Sequence, residues 1–181
     1  MRRIMLATVA TLGLVALGAT AQTRAPYRTG PHNIELPADW QTRFVRYATV
    51  DKADRKIIRH MYVNPEAYAA TRAGQPAPHG TLLIMADTRA RLDAQGNPLL
   101  DTSGRFIPEP GWIAIGAQQK EAGWGEGYGP EQRNGEWEYA AFDGAGARRN
   151  VSLNNCFGCH LGARPQQDFN FTYWDHAQAR R

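Results

Sequence analysis

The sequence predicts a mainly β protein of α+β type, an antiparallel sheet with a few short helices, the last of which carries both cysteines. Three observations predict it. Short runs rich in β-branched and aromatic residues recur along the chain. Beyond the N-terminal region, no long stretch keeps apolar residues at helical spacing. The 18 glycines and 11 prolines among 181 residues interrupt the chain too often for a helical bundle.

The chain opens with Arg2 and Arg3, an apolar run of 14 residues from Ile4 to Leu17, and small residues ending at Ala21. That is the layout of a cleaved export signal. The run falls short of the ~20 residues a membrane-spanning helix needs. Residues 1–21 are therefore read as a cleaved signal peptide, with a retained N-terminal anchor as the alternative, and residues 22–181 as one domain, large enough to bury its own core. Export places the mature protein in the periplasm.

Five stretches after the signal read as strands: 44–50 (FVRYATV), 56–63 (KIIRHMYV), 80–92 (GTLLIMADTRARL), 111–117 (GWIAIGA) and 135–142 (GEWEYAAF). Between the second and third, residues 64–74 read as a short helix. Asn64 is its cap, Pro65 its first residue, Glu66 an acid in the first turn and Gly74 its stop. Residues 93–111 contain Gly-Asn-Pro and Pro-Glu-Pro steps and read as a hairpin with a long excursion, while the glycine-rich 122–136 reads as turns. Within the third strand, Leu82, Ile84, Ala86, Thr88, Ala90 and Leu92 share an almost wholly apolar face, the core face. Thr81, Leu83, Met85, Asp87, Arg89 and Arg91 share the other, which starts apolar and turns charged, as a wall opening to solvent would.

Charge excludes one class of partner. The 21 basic and 17 acidic residues give +4, and cleavage after Ala21 removes two arginines and no acid, leaving +2. The arginines are spread along the chain without a basic stripe, so no nucleic-acid partner is expected.

Chemistry concentrates in Cys156-Phe157-Gly158-Cys159-His160. On one helical turn two cysteines three apart point the same way, and a histidine follows immediately. That geometry suits one covalently bound haem c, each sulfur joined to a vinyl group and His160 placed to bind iron. A thioredoxin-like pair belongs in a βαβ unit, and none is visible. Structural zinc needs four ligands, and scattered histidines would have to complete the set. A disulfide across two residues would be strained and leaves His160 unexplained. His32, His60, His79 and His176 read as surface or loop residues rather than as ligands.

In the order of its segments, the chain resembles the cytochrome P-460 proteins and their relatives, cytochrome c′-beta. The resemblance rests on IIRHMYVNPEAYAATRAG, HGTLLIMAD, GEWEYAAF, CFGCH and DFNFTYW, from about Ile57 to Trp174. It implies a mostly β homodimer whose five-coordinate haem binds small nitrogen oxides on its open face. Hydroxylamine-oxidising members carry a lysine five residues after the glycine of GTLLIM, cross-linked to the haem edge, whereas here that position is Met85. The cross-link is therefore not expected. Two readings stand for Met85: a flexible side chain filling a gap, or the distal iron ligand opposite His160. A His/Met pair would raise the reduction potential and favour electron transfer with a redox partner protein. Asp87, on the same strand face, is a candidate proton carrier, with pairing to Arg89, Arg91 or solvent as the plainer reading. Arg59 matches a family arginine and is assigned a structural or propionate-pairing role. Three functions follow: an electron carrier or nitric oxide binder, an oxidase of hydroxylamine or nitric oxide, and a gas sensor in which the ligand displaces Met85.

Overall fold

A computed structural model describes residues 29–180. The export signal read over residues 1–21 lies outside them. Among the described residues no helix is long and apolar enough to cross a membrane.

Five strands form one antiparallel meander in the order β1-β2-β3-β4-β5: β1 (Val45–Lys52), β2 (Ile57–Val63), β3 (Thr81–Arg89), β4 (Ala114–Lys120) and β5 (Trp137–Asp143). The mainly β, antiparallel prediction holds. An all-antiparallel sheet has no βαβ crossover, so the thioredoxin reading has no fold to stand on. Among the described residues, four short α-helices accompany the sheet: α1 (Trp40–Arg43), α2 (Pro65–Ala70), α3 (Asn154–Ala163) and α4 (Thr172–Ala179).

Helix α2 starts at Pro65 as predicted but ends at Ala70, short of Gly74. Asn64 does not cap it through its side chain. Its Oδ1 instead accepts the Leu82 N–H at 2.9 Å and its Nδ2 donates to the Gly80 carbonyl at 3.2 Å, so the residue ties α2 to β3.

Alternation along the strands divides the sheet into two faces. On one, Leu82, Ile84, Ala86, Ile115, Ala117, Ala140 and Phe142 pack under Ile34, Trp40 and Phe44 from the segment preceding β1. This is the predicted core face. It stops at Ala90, because the strand ends at Arg89 and Leu92 turns out to solvent, 44% exposed. The chain leaves there into the expected excursion, an arm of short hairpin bridges Leu92 to Pro98, Leu100 to Phe106 and Ala90 to Pro108. Arg105 pins the arm to β1 through two bonds to the Asp51 carboxylate, 2.7 and 3.0 Å.

The second face carries Val63, Leu83 and Trp137, packed against α2 and Tyr173 of α4. Between this cluster and α3 the face opens into a cavity.

Candidate functional site

The cavity holds about 370 Å³ and is walled by residues from β1 to β4, β5 and the C-terminal segment. Met61, Met85 and Gly116 are direct neighbours across β2, β3 and β4. Met85 faces the cavity, as its strand parity predicts, and Gly116 makes room for it. A Cβ on Gly116 would lie 3.2 Å from Met85 Cε. Met61 also lines the cavity. Sequence reasoning missed it, although it shares strand parity with Arg59.

Across from these strands lies α3. Phe157 is its anchor, buried against Tyr128 and Tyr139 with ring centroids 4.8 Å apart in each pair. That leaves Cys156 half-buried in the cavity wall and Cys159 exposed, both as free thiols. Burial, and secondarily the neighbouring Cys159, pushes the Cys156 thiol above its ordinary pKa.

His160 is half-buried between two residues of the cavity wall, 5.0 Å from the Tyr139 ring and 4.8 Å from Phe171. Its Nδ1 lies 2.5 Å from the carbonyl of Phe169, a distance that makes Nδ1 the protonated nitrogen and leaves Nε2 with its lone pair. Desolvation lowers the imidazole pKa, partly opposed by that hydrogen bond, which favours the neutral, metal-binding form. The carbonyl comes from an unusual turn. Asp168 and Phe169 are consecutive non-glycine residues at φ 49° and 55°, a left-handed conformation that costs roughly 1–2 kcal/mol per residue.

Arg59 reaches the cavity wall, as does Lys52. Its guanidinium makes two bonds of 2.8 Å to the two oxygens of Asp87. The hydrogen bonds to Asp87 hold the Arg59 pKa above its ordinary value. Asp87 itself is 3% exposed. It therefore pairs with Arg59, not with Arg89, Arg91 or solvent, because β2 and β3 set Arg59 and Asp87 opposite each other. Both oxygens of this candidate proton carrier are occupied.

The donor set fits a covalently held haem. Two unbridged thiols and a tautomer-fixed imidazole sit on one helix beside a largely apolar cavity. The Oδ1 of buried Asn170, in the cavity wall, has no partner. Among the described residues no group of three or more His, Cys, Asp or Glu is arranged to hold a metal ion by itself.

Comparison with known proteins agrees with haem binding. No curated protein matches the chain. The family model described as Cytochrome P460 matches residues 37–172, which takes in the whole sheet, the arm and helix α3. The chain belongs to the cytochrome P460 family, and is a haem-binding cytochrome.

Proposed function

We propose that this is an exported, periplasmic mono-haem c-type cytochrome without a lysine cross-link, acting in electron transfer, nitric oxide binding or both. Cys156 and Cys159 would hold the haem by thioethers, His160 Nε2 would be the proximal donor, and Met85 the distal one. Bound haem supplies a one-electron couple and an iron that takes small ligands. One observation carries the reading: a single cavity is walled by Cys156 of the attachment helix and by Met85 of the sheet, with Gly116 leaving space for the thioether. Arg59 and Lys52 in the same wall supply cationic partners suited to haem carboxylates. A redox partner protein and a homodimer belong to the same reading.

The test is the absorption spectrum of the oxidised, haem-loaded protein. Low-spin haem with a weak far-red sulfur-to-iron band, abolished in Met85→Ala, is the expected result. A high-spin spectrum that Met85→Ala leaves unchanged overturns the ligation. Peptide masses complete the test, since the peptide containing Met85 should carry no haem.

A sensor reading is favoured by the nature of the ligand itself, a flexible thioether only partly buried at the cavity edge. Nitric oxide would then bind the ferrous form slowly and to saturation, at the rate Met85 leaves. The oxidase reading has less support, because Arg59 holds the one acid on the Met85 strand face. Turnover of hydroxylamine with a cytochrome acceptor would restore it.

A further inference from the structure

The left-handed turn beneath His160 is held by a buried ion pair. Asp168 accepts from Lys120 Nζ at 3.0 and 3.1 Å and from the Ala77 N–H at 2.8 Å. The Lys120 and Asp168 side chains are only 8% and 10% exposed. Lys120 is fixed in turn as the last residue of β4, between Thr81 and Trp137 on the flanking strands. The backbone of the turn is also tied down. Asn170 Nδ2 donates to the Asp168 carbonyl at 2.8 Å, and the Phe169 N–H donates to Arg164 at 2.8 Å.

A strained turn persists only where its surroundings over-determine it. Here the restraints converge on the Phe169 carbonyl, which is aimed at His160 Nδ1 and also accepts a longer bond, 3.4 Å, from Gln118 Nε2. A hydrogen bond to the non-ligating nitrogen of a metal-binding histidine fixes its tautomer and orientation and raises the basicity of the other nitrogen.

We infer that Lys120 and Asp168 are positioning residues for His160, a buried clamp that keeps the Phe169 carbonyl on Nδ1 and thereby sets the donor strength of Nε2. This rests on the reading of His160 as the iron ligand. The pair is far from a generic surface contact, since both charges are withdrawn from water and spent on the turn that also seats the Phe169 ring against the core of the second face.

The test uses the full, haem-loaded chain and reads the reduction potential of Lys120→Met, Asp168→Ala and the double variant. A weaker bond to Nδ1 makes a weaker donor and favours the ferrous state. All three potentials should rise, by about tenfold in the redox equilibrium, or ~59 mV for one electron. Simple charge effects predict something else. Losing a positive charge lowers the potential and losing a negative one raises it, so the single variants would move apart and the double would stay near wild type. That pattern overturns the clamp, as does a lowered thermal midpoint with unchanged potentials. The double variant leaves no lone buried charge, which keeps the test readable should either single variant fail to fold. His160→Gly separates the two readings. If it leaves the spectrum of the loaded protein unchanged even with added imidazole, His160 is not the ligand and both readings fall. If the spectrum responds but the potentials of the clamp variants do not rise, only the clamp falls.

Discussion

Gly116 allows the role of Met85 to be probed without touching the thioether. Its backbone is ordinary extended strand, so alanine brings no conformational strain, and β4 would tolerate the new side chain but for Met85 Cε at 3.2 Å. A methionine end is flexible and can give way. On the proposed Met85 ligation, Gly116→Ala should therefore cost stability only at the low end of overpacking, about 1 kcal/mol, while altering the far-red band of the oxidised protein. A large loss of stability with an unchanged spectrum would contradict that. Asp87 makes the opposite kind of case. Asp87→Ala leaves the Arg59 guanidinium without its carboxylate beside the cavity, and denaturant unfolding should show a loss of about 3 kcal/mol. Two of these residues were legible in the sequence for a definite reason. Met85 and Asp87 sit in a strand whose parity is unmistakable, whereas Met61 in β2 and the identity of the partner to Asp87 depend on register, which no single strand contains.

The elements repeat this lesson. All five strands were legible because alternation and turn residues bracket them, and the short α2 because Asn-Pro-Glu announces its start. Its end was misread by four residues, because Thr71 leaves the helix in an extended conformation with its hydroxyl held between the Ala67 carbonyl and Tyr173, a partner 102 residues away. The arm between β3 and β4 was legible as an excursion from its prolines and glycines, but its docking was not, because Asp51 and Arg105 are 54 residues apart. That docking has a pH signature. The hydrogen bonds from Arg105 hold the Asp51 carboxyl below its ordinary 3.8. A folded pKa below the unfolded one contributes stability at pH above the unfolded value, and that contribution fades as the pH falls through the folded value. The wild type should exceed Asp51→Asn in unfolding free energy from urea titration near neutrality, by under about 1 kcal/mol because Arg105 is 45% exposed. The advantage should shrink below pH 3.8 and vanish in stronger acid. An advantage that persisted there would assign it to packing.

At the scale of the molecule, the sheet and helix α3 differ in what holds them. The core under α1 joins the N-terminal segment to β2, β3, β4 and β5 and contains no residue of α3. That half of the protein closes on itself. Helix α3 is weak as a helix, with no side-chain cap at Leu153, no acid in its first turn, and Gly158 and Gly162 inside ten residues. A helix of that length is marginal alone. Its order comes from Phe157 in the Tyr128–Tyr139 pocket, from His160 on Phe169, and from whatever its two cysteines hold. The CxxCH spacing marked α3 as the candidate site but not this dependence, because helical weakness becomes meaningful only once the independent core is known. Cys156→Ser/Cys159→Ser protein, prepared without haem, should therefore keep slow amide exchange in β2 to β5 while exchange across 154–163 accelerates by at least tenfold. Equal acceleration everywhere would mean one cooperative unit, with the haem holding the sheet as well. Undiminished protection in α3 would mean that Phe157 and the turn at Phe169 suffice, and that the chain presents a finished helix to the haem before attachment.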